Sequence, residues 1–228
     1  MNKKFQKFGA WCGIVGSNIF FIGMIVAHFF PPIPASLTAL EVQANVQTNV
    51  MAIRIGALMM IVGGMGYGPF LAAVFLQLKR MEGVNCFGAY AQLASGIANI
   101  QFFILPGVFF AVLAFRPDRA PDALYALSDL AWIVTLLPWS VSAMQCFCTG
   151  VAILSHPEVT NVYPRWAGYL TIWLSICMAT SSVIPFFKTG PFAWQGLFGF
   201  WIPSILFGIY IFTFWWITLK AIDTQEDM

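Results

Sequence analysis

Residues 88–115, GAYAQLASGIANIQFFILPGVFFAVLAF, decide the fold class, because this stretch contains no Asp, Glu, Lys or Arg. A helix needs about 20 residues to cross the roughly 30 Å hydrocarbon core of a bilayer, so the stretch is long enough to span it. Its apolar residues run continuously instead of alternating, which favours a helix over a barrel strand. We therefore predict a transmembrane helix here.

Five further stretches share this length and apolar character. They lie near Gly9–Phe30, Val50–Leu78, Leu127–Leu154, Trp166–Phe187 and Gly196–Lys220. Hydrophobic residues make up 60% of the chain and charged residues 9%, whereas a typical soluble domain is about 25% charged. This composition excludes a soluble enzyme, a nucleic-acid-binding protein, a disordered chain and a disulfide scaffold. We expect one all-α domain over residues 1–228, a polytopic bundle of six transmembrane helices.

Basic residues predict the orientation of this bundle. The first apolar run is longer than the roughly 7–15-residue core of a signal peptide, so we interpret it as a retained span. With the N-terminus inside, seven basic residues fall on the inner side and four on the outer side, which by the positive-inside rule places both termini in the cytoplasm. The inner residues are Lys3, Lys4, Lys7, Lys79, Arg80, Arg165 and Lys220.

Cysteine and histidine spacing gives no sign of a metal or redox site. Cys146 and Cys148 are two residues apart and point to different sides of a helix, so a disulfide or metal pair is not expected. His28 and His156 fall on opposite sides of the membrane and cannot ligate one haem. We expect no metal, no cofactor and, with a net charge of +2, no nucleic-acid partner.

Charged residues gather on the predicted outer side. They are the acids Glu41, Asp118, Asp122 and Asp129 and the bases Arg54, Arg116, Arg119 and Lys188. Arg54 and Asp129 lie inside the first turns of their spans, where an unpaired charge is expensive, so we expect them to pair with each other. The whole set is either an ion-pair network that joins the outer loops or a polar rim that grips a head group.

Aromatic residues and prolines concentrate at the same depth. Trp132, Trp139, Trp194 and Trp201 fall on the outer half, as an interfacial belt or as the walls of a pocket. Each of spans two to six contains a proline, which kinks a helix and can open a cavity. These prolines are Pro69, Pro106, Pro138, Pro185 and Pro203, and all but Pro69 fall on the predicted outer half. In the first outer loop, Ser36 is predicted to cap a short helix with Leu40 on its apolar side.

Two patterns inside the spans predict helix contacts. Gln92, Ser95 and Asn99 form a polar stripe on span three, for helix-to-helix hydrogen bonds or for part of a solute path. Gly64 and Gly68 have the small-xxx-small spacing that lets two helices approach closely. This face of span two is the predicted surface for a homo- or hetero-oligomer.

Four phrases carry a family resemblance: FRPDR at 115–119, LSDLAW at 127–132, YPRWAGY at 163–169 and FKTGPFAW at 187–194. Together they resemble a group of bacterial six-span membrane proteins of about this length. The resemblance covers most of the chain and implies the fold, a bacterial source and the inner (plasma) membrane. It implies no activity, ligand or catalytic residue.

The leading hypothesis is a protein that binds or passes on a lipid-like molecule in an outer cavity. The four tryptophans would be the walls of this cavity. Three bases, Arg54, Arg116 and Lys188, would contact the head group. The acids Asp129 and Glu41 would orient these cations.

Other function classes stay open. An intramembrane enzyme acting on a lipid or isoprenoid would use Asp129 or Glu41 as its acid or base, and Lys188 or Arg54 would stabilise developing charge. A small-solute transporter would need a polar path along the whole bundle. An accessory subunit would dock through span two. Membrane lipids are the expected surroundings in every case.

Overall fold

The computed structural model describes residues 2–84, 86–156 and 162–225, and within these ranges the regular secondary structure is entirely helical. The α-helices are α1 Lys3–Val26, α2 Ala39–Thr48, α3 Val50–Met65, α4 Tyr67–Glu82, α5 Phe87–Phe115, α6 Pro121–Leu136, α7 Trp139–Leu154, α8 Arg165–Met178 and α9 Ile202–Asp223. A 3₁₀ segment, Ala179–Phe186, follows α8, and a π segment, Leu197–Trp201, precedes α9.

Among the described residues, six helical units are long and apolar enough to cross a membrane, which confirms the predicted fold class. They are Lys3–Val26, Val50–Glu82, Phe87–Phe115, Pro121–Leu154, Arg165–Phe186 and Leu197–Asp223. An even number of spans brings both termini to one end of the bundle, the terminal end. The other end, the α2 end, carries α2 and the loops 116–120 and 187–196. Cytoplasmic termini stay a prediction.

The first span ends earlier than predicted. The predicted limit was Phe30, but α1 ends at Val26 and the chain turns sharply after it. His28 has a φ of 58°, in the left-handed region that a right-handed helix cannot contain. Pro31 and Pro32 then prevent a return to the helix, because neither has a backbone N–H to donate.

Prolines divide two spans but not a third. Pro69 cannot bond to the carbonyl of Met65, and α3 ends at that residue. Pro138 likewise separates α6 from α7. Pro106, in contrast, lies within the continuous helix α5. A proline in this bundle therefore allows a break without imposing one.

Glycines let α1 and α3 approach within backbone contact. A Cβ added to Gly63 would lie 2.6 Å from the carbonyl oxygen of Gly16, which no real side chain tolerates. On the neighbouring face, a Cβ on Gly64 would lie 2.7 Å from the Cβ of Phe103 in α5. Gly63 and Gly64 therefore pack inside the bundle, against α1 and α5, and this face is not free for a partner. Oligomerisation itself stays a prediction.

Helix α2 lies across its end of the bundle and is capped by Thr38, so the prediction of Ser36 as the cap is wrong. The Thr38 side chain accepts from the backbone N–H of Glu41, and the Glu41 carboxylate accepts from the backbone N–H of Thr38. Val42 and Val46 face the core, whereas Leu40 is 69% exposed. The reciprocal cap selects Thr38 because it satisfies two backbone donors at once.

Candidate functional site

Side-chain amides join α2 to the neighbouring loop. Gln43 donates to the carbonyl of Arg119 and Gln47 donates to the carbonyl of Pro117, both at 3.0 Å. The Arg119 guanidinium turns back to the carbonyl of Val112, also at 3.0 Å. Loop 116–120 is therefore held by hydrogen bonds to backbone carbonyls and not by ion pairs.

The eight predicted outer charges form no ion pair within the described residues, so the ion-pair network alternative is wrong. At the terminal end, Lys7 and Asp223 form an ion pair at 2.5 Å, and His156 lies 4.0 Å from Glu82, a contact that is an ion pair only when the imidazole is protonated. At the α2 end, backbone carbonyls and open solvent replace the acids as partners of the bases.

The predicted pair of Arg54 with Asp129 is also wrong. The Arg54 guanidinium donates to the carbonyl of Ala114 at 3.0 and 3.2 Å and to that of Phe115 at 3.3 Å. These carbonyls are at the C-terminus of α5, where the helix leaves acceptors without intrahelical donors and carries partial negative charge. The C-terminus of α5 thus provides the hydrogen-bond acceptors for Arg54 that the carboxylate of Asp129 was expected to provide.

Glu41 is occupied by the cap of α2. Its carboxylate accepts from the Thr38 backbone N–H at 2.7 Å and from the Thr38 hydroxyl at 2.8 Å. The backbone hydrogen bond to Thr38, followed by the side-chain hydrogen bond, lowers the pKa of Glu41. The side chain is exposed and does not line the cavity described next. Glu41 is therefore a capping residue, and a role as acid or base has no support here.

A cavity of about 110 Å³ lies between α6, the 3₁₀ segment and loop 187–196. We call it the α2-end cavity. Its lining residues are Ala35, Tyr125, Asp129, Ile133, Ile184, Pro185, Phe187, Lys188 and Trp194. Pro185, Phe187 and Lys188 are exposed, so the cavity opens at the surface. Three predicted site residues, Asp129, Lys188 and Trp194, meet there.

Loop contacts fix the shape of this cavity. The Trp194 indole donates to the carbonyl of Ile33 at 2.8 Å. The Gln195 carboxamide accepts from the backbone N–H of Ala35 at 3.2 Å and donates to the carbonyl of Lys188 at 3.4 Å. These bonds tie loop 187–196 to the loop before α2, and they hold the backbone that carries Lys188.

Asp129 and Lys188 line the same cavity without forming an ion pair within the described residues. Asp129 is half-buried on α6, and Lys188 is exposed. The Lys188 ammonium is close enough to act electrostatically on the Asp129 carboxyl. Within the described residues the two form no ion pair, so their charged atoms are more than 4.0 Å apart. The cavity thus contains a carboxylate and an ammonium that do not neutralise each other by contact.

The other predicted binding residues lie elsewhere. Trp132 is fully buried and stacks on Trp194, with ring centroids 6.1 Å apart, behind the cavity wall. Trp139 packs against the ring of Phe102 in the core, at 4.5 Å. Trp201 packs edge-on against a phenylalanine of the loop after α1. Arg116 is exposed and does not line the cavity.

Sequence reasoning predicted helix-to-helix hydrogen bonds for Asn99 but did not identify the buried cluster to which this residue belongs. The central cluster consists of Tyr67, Asn99, Ser142, Gln145 and Tyr210, from α4, α5, α7 and α9. The Gln145 carbonyl accepts from Tyr67 at 2.8 Å and from Asn99 at 2.5 Å, and its amide donates to Tyr210 at 3.0 Å. The Ser142 hydroxyl donates to Asn99 at 3.0 Å. The sequence pattern did not connect Asn99 with Gln145, because periodicity within one span does not reveal partners on other helices.

Metal-binding side chains do not converge in the described ranges, where no group of three or more His, Cys, Asp or Glu could hold an ion. The five cysteines are free thiols. His28 follows α1 at the α2 end, whereas His156 follows α7 at the terminal end. The bundle keeps its two histidines at opposite ends, as their positions in the sequence predict.

Comparisons with protein-family models, with curated proteins and with solved structures find no match to this chain.

Proposed function

We propose that this chain is a membrane protein that binds a lipid-like molecule at the α2 end, with the polar group of that molecule in the α2-end cavity. The observation that carries the proposal is the pair of charges, Asp129 and Lys188, facing an open cavity beside Trp194. Ligand sites are concave and mostly apolar, with a few polar groups that orient the ligand. The α2-end cavity has this composition.

The size of the cavity restricts what it can hold. An engineered protein cavity of about 150 Å³ accommodates benzene, so a cavity of about 110 Å³ holds a group of only a few heavy atoms. A whole isoprenoid or acyl chain is far too large. The polar end of the ligand therefore enters, and its apolar part stays outside. This reverses the expectation of an apolar body enclosed by four tryptophans.

An apolar surface adjoins the cavity mouth and suits the tail of such a ligand. Phe186 is 81% exposed and lies between two cavity-lining residues, Pro185 and Phe187. Val183, three residues earlier in the 3₁₀ segment, is also exposed. An acyl chain lying along this segment would remain in the membrane while its head group occupied the cavity.

Asp129 also supports a second candidate, an intramembrane enzyme acting on a lipid or isoprenoid. This carboxyl has no ion-pair partner within the described residues and faces an open cavity, as a general acid or base requires. Lys188 would stabilise developing negative charge. Glu41 and Arg54 have no role in this enzyme hypothesis, because Glu41 caps α2 and Arg54 is hydrogen-bonded to the C-terminus of α5.

We further propose a bacterial inner (plasma) membrane as the location, with both termini in the cytoplasm. The family resemblance supports the membrane, and the excess of Lys and Arg at the terminal end supports the orientation. Alkaline phosphatase or a fluorescent protein fused to the C-terminus reports the side directly. A phosphatase active outside the cell would overturn the orientation.

The binding proposal is tested by native mass spectrometry of the protein purified in mild detergent, with identification of what remains bound. We expect a stoichiometric lipid-like ligand that is lost in Lys188→Gln. The matched control is Lys79→Gln, at an exposed lysine of the terminal end, which should keep the ligand. Bulk phospholipids in unspecific mixture, or nothing at all, would contradict the proposal and favour the transporter or accessory-subunit hypotheses.

A further inference from the structure

The α2-end cavity presents opposite charges, Asp129 and Lys188, that form no ion pair within the described residues. Asp129 lies on α6, whose regular helical backbone fixes the base of its side chain. The backbone of Lys188 is held by Gln195, which in turn is bonded to the loop before α2. The two charged groups are thus attached to separate supports, and apolar and aromatic side chains line the rest of the cavity.

A ligand of single charge would suit such a cavity poorly. An anion near Lys188 would also feel repulsion from Asp129, and a cation near Asp129 would feel repulsion from Lys188, at a site partly screened from water. A ligand carrying both charges gains two attractive contacts. Electrostatic complementarity therefore favours a zwitterion whose charges are a short chain apart.

We infer that the head group bound in the α2-end cavity is a zwitterionic aminoalkyl phosphate, with its phosphate on Lys188 and its primary ammonium on Asp129. This inference rests on the proposed function and names the ligand class of the same site. An ethanolamine phosphate, in which a short C–C–O chain separates the charges, is the simplest group of this kind. Its eight heavy atoms exceed what about 110 Å³ encloses, so the ammonium end enters the cavity and the phosphate stays at the open mouth beside the exposed Lys188.

The lining distinguishes a primary amine from a trimethylated one. A carboxylate accepts hydrogen bonds, and a primary ammonium supplies three N–H donors, whereas a trimethylammonium supplies none. Tyr125 and Trp194 also line the cavity, and an aromatic ring beside an ammonium adds a cation–π attraction. A head group bearing a sugar or inositol ring needs more room than the cavity offers.

Three phospholipids with identical acyl chains test the inference. Phosphatidylethanolamine, phosphatidylglycerol and phosphatidylcholine are titrated separately against the delipidated protein, and bound lipid is counted by native mass spectrometry. We expect phosphatidylethanolamine to bind about tenfold more tightly than the other two, the effect of about one charge-assisted hydrogen bond. Equal binding of all three would overturn the inference but leave the proposed function standing.

Two variants in the cavity test the contribution of each charge separately. Asp129→Asn should abolish the preference for phosphatidylethanolamine over phosphatidylglycerol while binding of both persists. Lys188→Gln should weaken all three lipids alike, because each carries the phosphate. Asp122→Asn removes an exposed acid at the start of the same helix, outside the cavity, and should keep the preference. A preference that survives in Asp129→Asn would overturn the inference.

A soluble competitor distinguishes a lipid from a free metabolite of the same chemistry. O-phosphorylethanolamine should displace phosphatidylethanolamine only at much higher concentration, because it lacks the tail, whereas glycerol phosphate should not compete. If O-phosphorylethanolamine binds as tightly as the lipid, the zwitterion assignment stands and the lipid-like ligand of the proposed function is overturned. If none of the three lipids binds, the inference is overturned, and the proposed function falls with it only if the purified protein also retains no other lipid-like molecule.

Discussion

The α2-end cavity and the central cluster are both polar regions of an apolar bundle. The polar groups of the cluster are hydrogen-bonded to each other, whereas the two charged groups of the cavity are not paired. In the central cluster, both lone pairs of the Gln145 carbonyl oxygen are used, by Tyr67 and by Asn99. In the cavity, Asp129 and Lys188 stay apart. Polar groups deep in a bundle pair with each other because water cannot reach them, whereas groups at an open end can keep their bonding capacity for a ligand.

Gln92 is an exception within the buried region. It is fully buried, and neither its amide nitrogen nor its carbonyl oxygen has a hydrogen-bond partner among the described residues. Along α5 it lies between Gly88, which packs against Ala152 of α7, and Gly96, which packs near Gln145. The polar stripe predicted for span three therefore joins the central cluster through Asn99 but not through Gln92.

The largest effect on the free energy of unfolding is expected from removing the hydrogen bonds of the central cluster. Gln145→Leu removes the partner of Tyr67, Asn99 and Tyr210 together, and unsatisfied buried groups cost about 1–3 kcal/mol each. We expect the free energy of unfolding, measured by SDS titration in mixed micelles, to fall by about 3 kcal/mol. Gln101→Leu, at an exposed position of α5, is the control and should change little. A Gln145→Leu protein as stable as the parent would show that the cluster contributes nothing.

A change of opposite sign is expected at Gln92. Gln92→Leu replaces an amide without partners by an apolar side chain of similar size, so the free energy of unfolding should rise by about 1 kcal/mol. The same SDS titration measures it. A lower stability would mean that this amide bonds to an ordered water or solute, and the contrast with Gln145 would disappear.

Smaller stability effects are expected in the cavity. Asp129→Asn and Lys188→Gln should each change the free energy of unfolding by less than about 0.5 kcal/mol, because neither charge has an ion-pair partner to lose. Thermal unfolding followed by circular dichroism, with ligand retention measured on the same sample, separates folding from binding. A large loss of folded protein would assign these charges a structural role, like that of the cluster.

The smallest effect concerns the cap of α2. Hydrogen bonds to Thr38 lower the pKa of Glu41, so its ionised form favours the folded cap. This contribution is complete above the ordinary glutamate pKa of about 4.3 and is lost as the pH falls through the lowered value. Amide exchange at the start of α2 should accelerate over this pH range relative to Glu41→Gln. Ligand binding at neutral pH should be the same in both proteins, since Glu41 does not line the cavity. Identical exchange profiles would contradict the cap.

The fold and the site differ in how far the sequence predicted them. The six spans followed from uninterrupted apolar length, a local property. Asp129, Lys188 and Trp194 were selected as site residues by their shared depth, and they do meet in one cavity. Depth alone could not separate them from Arg54 or Trp132. Arg54 is hydrogen-bonded to carbonyls at the end of α5, and Trp132 is buried in the core. The rotation of each helix about its axis decides which side chains face inward, and depth along the helix does not report it.

The sequence by itself determined that this chain is a six-helix membrane bundle, because lipid requires each spanning segment to satisfy its own backbone, and that requirement is read from length and hydropathy. Only the tertiary structure decided which polar groups are paired. Gln145 is hydrogen-bonded to residues of three other helices, whereas Asp129 and Lys188 form no ion pair within the described residues. Such pairing depends on the packing of distant segments, and no local pattern records it.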